Sequence, residues 1–552
     1  MSQILTLIIF YFLILFSILG YGRIVTIFNS NYQASSFDGL IGISILILIS
    51  FITNLFFPHN FIHNSIIILF GLFFFIFDLK NNYSNRLKEL KLLLLIFSVI
   101  FIGILLYKNH DDFFYYHFSY TLSIINYKKI LGLGLLNHGF RTPSSIFYFN
   151  SLFYLPHIKY FLMNSGAVFI MGFCNIVFLS KINNLLKHKK NTFILFLLIL
   201  SFIYVNTAFY RLAEHGTDRS ALILIFLLVI TYLESLNILN NPFNKKNFIE
   251  YYEKIIVLLL LIVSLKSFYL IYLSLFLLWF YQFRLLLFDK NSITMLIKNK
   301  FTYLFILGLS LFILQVFLNT GCLVYPASFT CFDSLQWAIP VDQVKQMQSW
   351  YELWSKSGAS PNFRVENPEI YLTNFNWLAR WIDSYFFTKV TDTLLVIFLI
   401  SLICVFLFIN KKNKLIHNNN YKLLYLFLIL FFFEWFINHP ALRYGGYTLL
   451  ALIFFLPLSI FLERVTLFNS KFKKKIFILI LITFSVFIFK NLIRLNKENI
   501  QYQYNVLINP YFYIAPGAYE FDKIIAKIDS KQKKANDNFY LILNYSLLKN
   551  DN

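Results

Sequence analysis

Asp111 and Asp112 stand side by side in the stretch NHDDFFYYHF (109–118), directly after the apolar run Leu92–Leu106. Acids number only 26 among 552 residues, so an adjacent pair is conspicuous. Two neighbouring carboxylates can divide a task. One takes a proton from a hydroxyl as a general base; the other orients the acceptor or helps hold a cation. The same residues also suit the first turn of a helix, where free N–H groups donate to a carboxylate. Three more polar clusters break the apolar pattern: NHGFRTPSS (137–145), RLAEHGTDRS (211–220) and HPALRYGG (439–446). They supply candidate substrate-binding residues: His138 and Arg141, then Arg211, Glu214, His215, Asp218 and Arg219, then His439 and Arg443. His110 and His117 flank the acidic pair, and Lys266 interrupts an apolar run in SLKSF. Glu214, His215 and Asp218 could approach a metal, but the spacing matches no strong metal motif. The cofactor is therefore unknown: a divalent metal is compatible and not required.

The elements that must position these residues are membrane helices. The chain is 58% hydrophobic and 20% aromatic, with a mean hydropathy of +0.65. Apolar runs of about 16–20 residues recur between short polar loops. They predict spans near 3–21, 38–57, 63–78, 91–107, 163–180, 191–205 and 219–237, then a pair within 254–284. Further spans follow near 300–317, 392–409, 421–437, 446–463 and 474–489. The fold class expected is an all-α polytopic integral membrane protein with about 12–14 transmembrane helices. A multi-helix domain would cover 1–490, with outer-face loops 108–162, 206–218 and 438–446. A periplasmic loop subdomain would cover 318–391, and 491–552 would form a periplasmic tail. The stretch 254–284 reads as a hairpin with Lys266 and Ser267 at its outer tip, or as one tilted helix with a snorkelling lysine. The first 21 residues lack a basic leader and a small-residue cleavage site, and read as a retained helix.

The net charge of +22 does not indicate nucleic-acid binding. Lys and Arg concentrate in short loops between apolar runs, as membrane topology demands, and no nucleic-acid motif is present. Lysine-rich loops such as 181–190 and 410–422 are assigned to the cytoplasm, which puts every polar cluster above on the opposite, periplasmic face of a bacterial inner membrane. Arginine runs against that trend. Seven of the eleven (141, 211, 219, 364, 380, 443 and 494) fall on the outer side. A guanidinium grips phosphate through a planar fork that lysine cannot copy, so a lipid-linked phosphate at the outer leaflet would account for them, as would contacts with anionic lipids. Cys322 and Cys331 lie in the large outer loop, where a disulfide is chemically reasonable. Cys174 and Cys404 fall in apolar spans and read as packing residues.

After Asp111–Asp112 comes FFYYHFSYTLSI, an aromatic amphipathic stretch suited to lying along the membrane interface. A many-helix chain with an acidic pair in an outer-face loop before such a helix resembles the type-C glycosyltransferase superfamily (GT-C). The matching motif is DDF at 111–113. In that superfamily the acidic loop usually follows the first helix; here it follows the fourth. The resemblance implies a polyprenyl-phosphate-linked sugar donor, a lipid or glycan acceptor, inverting transfer, and Asp111 as base with Asp112 in support. Two other readings fit the same pattern. An O-antigen polymerase or ligase would use arginines of the outer loops, including Arg364 and Arg380. A transporter of lipid-linked saccharides would need ionisable residues at mid-membrane and two matching halves. Membrane lipids are expected partners in each case, and nucleic acid in none.

Overall fold

The computed structural model describes residues 3–28, 36–188, 191–214, 216–236, 245–287, 290–360, 363–409, 421–466 and 470–514. Among them there is no strand beyond two isolated bridges. The chain is an all-α, multi-pass membrane protein.

The helices run, in chain order, α1 (Gln3–Phe28), α2 (Asp38–Phe56), α3 (Phe61–Asn81), α4 (Tyr83–Ile100), α5 (Phe118–Asn126) and α6 (Ser145–Ser151). Next come α7 (Gly166–His188), α8 (Thr192–Ala208), α9 (Gly216–Leu236), α10 (Lys245–Leu265), α11 (Leu273–Leu287), α12 (Lys290–Ile297) and α13 (Lys300–Thr320). Then follow α14 (Val341–Lys356), α15 (Pro368–Leu372), α16 (Leu378–Trp381), α17 (Thr391–Phe408), α18 (Lys422–Asn438), α19 (Gly446–Val465) and α20 (Ser470–Tyr502).

Each of the fourteen predicted spans overlaps one of these helices, although the 91–107 span runs past the end of α4 at Ile100. Nine described helices are long and apolar enough to cross a membrane by length and composition. The other five predicted spans fall short of that measure. The helices α4 and α10 carry charged first turns, while α8, α11 and α18 have only 15–17 residues. The 254–284 segment is a hairpin: α10, a 3₁₀ turn at Ser267–Tyr272, and α11. Small residues set the closest packing, as is common where van der Waals contact must hold membrane helices together. A Cβ at Gly20 in α1 would lie 1.8 Å from the Gly71 carbonyl oxygen in α3.

Contacts fix the alternation of the helices. The end of α1, start of α2, end of α3 and start of α4 meet through Arg23, Asp38, Asp78 and Arg86. The end of α7 meets the end of α9 through Lys181–Glu234. The other end of the bundle, called the site face below, joins the start of α9, the α10–α11 turn and the α18–α19 turn.

Two expectations change. The segment after the acidic pair does not lie exposed along an interface. Residues 118–125 are buried throughout, because α6, α13 and the C-terminal residues cover them. The predicted loop 108–162 is thus largely core: Ser145 in α6 bonds Ser264 of α10, and Tyr148 bonds Gln315 of α13. The C-terminal boundary also moves. The last helix runs on through a polar stretch to Tyr502, and residues 503–514 fold back against the site face. The expected Cys322–Cys331 disulfide is formed, and Cys174 and Cys404 are buried free thiols.

Candidate functional site

The acidic pair opens a helix. The Phe113 N–H donates to the His110 carbonyl at 2.9 Å, and the Asp112 N–H donates to His110 Nδ1 at 3.2 Å. Residues Phe113–His117 then form a π-turn, with the Phe118 N–H reaching back to the Phe113 carbonyl. Such turns add a residue to the helix and re-aim the side chains around it. Adjacent helical residues point about 100° apart, and here the two acids separate. The Asp111 side chain is 91% exposed and lies 3.8 Å from Lys108. Asp112 turns inward, 34% exposed, with Oδ2 3.5 Å from His110 Nδ1 and 3.7 Å from Arg443 Nη1. The expectation that Asp111 leads and Asp112 supports is therefore reversed in placement.

Arg443 is positioned by a turn whose bonds come from neighbouring aromatics. Trp381 Nε1 donates to the Pro440 carbonyl, Trp435 Nε1 to the Ala441 carbonyl, and the Leu442 N–H to the Tyr385 hydroxyl. Gly445 closes the turn at φ +120°, a conformation costly for any residue with a Cβ. Arg443 then stands between two carboxylates. Besides Asp112, its Nε lies 3.9 Å from Asp218 Oδ2. Both contacts are too long for hydrogen bonds, and the buried Nε has no acceptor. The guanidinium lies over Trp354 of α14 (4.6 Å) and Tyr444 (5.2 Å). Burial works against its charge, but Tyr444, Asp218, Tyr116 and Asp112 outweigh that and hold it protonated.

Asp218, in the first turn of α9, is anchored by Lys266, whose Nζ sits 3.0 Å from Oδ1, with the Tyr269 hydroxyl at 3.3 Å. Lys266 is at the hairpin tip, as expected, and is paired. Two histidines complete this side. Burial pushes His117 and His439 each down to about 4, so both are neutral at pH 7. His117 Nε2 and His439 Nδ1 are buried without hydrogen-bond partners. Unsatisfied buried polar atoms are costly unless a ligand completes them.

A second wall stands beside this cluster. His138 Nδ1 lies 3.3 Å from the Tyr115 hydroxyl, and its ring packs against Trp350 and Tyr351 of α14. Burial, then the charge of Arg141, lowers its pKa, with Asp112 opposing. Arg141 donates to the Gly134 carbonyl (3.1 Å) and to Gln343 (3.4 Å). Half-buried Tyr351 feels both Tyr116 and Arg141, which links the two walls. Tyr115 and Trp350 remain partly open to solvent.

Several expected members stand elsewhere. Both guanidinium bonds of Arg211 go to Glu214, and their further charged neighbour is Glu498 of α20. Arg219 stacks on Tyr447 (4.0 Å) and Phe209 (4.9 Å). Arg364 and Arg380 bond the backbone carbonyls of Phe363 and Arg364. His215 lies outside the described residues. Among the described residues no group of three or more His, Cys, Asp or Glu could hold a metal. A cavity of about 210 Å³ at the opposite end of the bundle is lined by Arg23, Asp38 and Glu89 among apolar side chains; none of the expected site residues lines it. Sequence reasoning missed Tyr269, Tyr444 and the Trp350–Trp354 face of α14. The i, i+4 tryptophans in SWYELW (349–354) were the available signal, since they share one helix face.

Residues 1–450 match the family described as Domain of unknown function (DUF8201). The chain belongs to the DUF8201 family. No curated protein and no solved structure matches it. The match includes Asp112, Asp218, Lys266, His439 and Arg443, and stops within α19.

Proposed function

We propose that this DUF8201 protein is a membrane glycosyltransferase of the GT-C kind. It moves a sugar from a polyprenyl-phosphate-linked donor to a lipid or glycan acceptor, at the periplasmic face of a bacterial inner membrane. The observation that carries the reading is Arg443: a protonated guanidinium between two carboxylates, hydrogen-bonded to neither, with a buried Nε lacking an acceptor. A phosphate oxygen would complete it, and Lys266 lies on the same Asp218.

In this reading the acceptor oxygen attacks the anomeric carbon. The bond from that carbon to the donor phosphate breaks, and Asp112 takes the acceptor proton. Arg443, seconded by Lys266, balances charge on the departing phosphate. Asp218 keeps both cations in place, while His117 and His439 offer neutral ring nitrogens to sugar hydroxyls. The partly open rings of Tyr115 and Trp350, either side of His138, offer apolar faces to the acceptor glycan. Asp111 has no part in the chemistry.

The test is sugar transfer in membranes supplied with a panel of radiolabelled polyprenyl-phosphate hexoses. Asp112→Asn keeps shape and removes the base, so transfer should fall by about 10²–10⁴-fold, with protease protection unchanged. Near-normal transfer by this variant, or none by the wild type with any donor, would overturn the reading.

A further inference from the structure

The acidic turn is held from outside by a part of the chain that lies beyond the family match. Ahead of the turn, Arg494 of α20 donates to the Leu105 carbonyl at 2.6 Å and pairs with Glu498 at 3.2 Å. Glu498 in turn accepts from the Tyr107 N–H at 2.7 Å. The other backbone group of Tyr107, its carbonyl, accepts from the Tyr513 N–H at 2.8 Å. The Tyr107 ring sits among Tyr502, Tyr504 and Tyr513, at 4.9–5.6 Å. Behind the turn, Phe512 is buried against Phe113 (5.5 Å), Phe118 (6.4 Å) and Phe161 (5.4 Å), and Tyr511 stacks on Phe161 at 3.9 Å. The arm closes on itself through the Tyr504 hydroxyl, which donates to the Pro510 carbonyl.

Residues 108–112 therefore bridge two points, Tyr107 and Phe113, that are both clamped by residues 494–513. The Asn109 amide is buried with neither its Oδ1 nor its Nδ2 hydrogen-bonded, and the helix that begins at Asp111 goes straight into a π-turn. A short, irregular segment of this kind takes its pose from what packs on it. We infer that Phe512 and Tyr513 are positioning residues: the C-terminal arm sets the direction of Asp112 toward Arg443. What that direction is for rests on the glycosyltransferase reading; the clamp itself does not.

The experiment is hydrogen exchange by mass spectrometry on the full chain in detergent, comparing wild type, Phe512→Ala and Phe512→Leu, with the thermal midpoint of each. In Phe512→Ala, amides of 107–118 should exchange about tenfold faster or more, while α3–α4 peptides keep wild-type rates and the midpoint holds. Phe512→Leu, which keeps apolar bulk, should restore slow exchange. Where transfer is measurable, the alanine variant should lower kcat and leave the donor KM unchanged. Unchanged exchange at 107–118 overturns the inference. Loosening spread evenly over the bundle with a lower midpoint also overturns it, because the arm is then only a brace. Selective loosening in a protein that transfers no sugar sustains the clamp and rejects the glycosyltransferase reading.

Discussion

Two clusters of opposed charge sit at opposite ends of the bundle, and they are built differently. At the lysine-rich end, Arg86 forks onto Asp78 (Nη2–Oδ1 3.2 Å, Nε–Oδ2 3.0 Å), Arg23 adds a 3.1 Å contact to Asp78, and Asp38 lies 3.6 Å from Arg86. These four side chains are at most 5% exposed, and they tie α1, α2, α3 and α4 together. At the site face, Arg443 stands 3.7 Å from Asp112 and 3.9 Å from Asp218, and about a third of the arginine and of Asp112 is open. The first cluster packs its charges within 3.0–3.6 Å and buries them, although Asp78 Oδ2 accepts no hydrogen bond. The second sets Arg443 3.7–3.9 Å from its two carboxylates and leaves it partly open. Charges that serve the fold neutralise one another at short range, because burial without pairing is costly. Charges kept just beyond hydrogen-bond distance leave room for a guest that carries its own.

The comparison breaks most sharply at Asp78. Asp78→Asn leaves Arg23 and Arg86 buried without their shared carboxylate. Removing one partner of a buried pair costs about 3–5 kcal/mol. We expect a clear drop in thermal midpoint in detergent and in the yield of folded protein. A wild-type midpoint would mean that this network carries no more of the fold than the site cluster does, and the contrast would fail.

A smaller effect of a different kind is expected at Arg443. Arg443→Lys keeps the charge and loses the fork. Losing a charged hydrogen bond costs about 1.5–3 kcal/mol, here read as weaker binding of a polyprenyl phosphate to the protein in nanodiscs. Stability should change by less than about 1 kcal/mol, since the native guanidinium bonds neither carboxylate. Loss of stability with unchanged lipid binding would make Arg443 a structural charge like Arg86.

Much of this was readable in the sequence, for physical reasons. Apolar runs report helices in a membrane directly, so all fourteen spans overlap helices, and the lysine at the hairpin tip was placed correctly. The bias of arginine toward one end was real, yet it did not show which arginines gather. Arg443 joins the acids because Trp381 and Tyr385, 59 and 57 residues from the groups they bond, hold its turn together with Trp435 of the adjoining α18. Arg211 and Glu214, three residues apart, simply satisfy each other. Residues 118–125 looked interfacial because their pattern is amphipathic, but α6, α13 and the C-terminal arm bury their polar side too. The polar end of α20 gave no apolar signal, so its continuation to Tyr502 went unread.

The smallest expected effect is at Asp111, where sequence and structure diverge most. Residue type cannot tell two adjacent aspartates apart; only the turn can. The turn aims Asp112 at Arg443 and leaves Asp111 in solvent beside Lys108, an exposed pair of the kind that water and salt screen almost completely. Asp111→Asn should therefore leave sugar transfer within about twofold of wild type, the range expected when only such a surface pair is lost. Asp112→Asn, one residue away, should abolish most of it. Single-turnover transfer of a labelled sugar with both variants in parallel makes the measurement, because their composition, charge and expression are otherwise matched. Equal losses in the two variants would mean that the acids act through the net charge of the turn, and the one-carboxylate geometry at Arg443 would no longer explain the site.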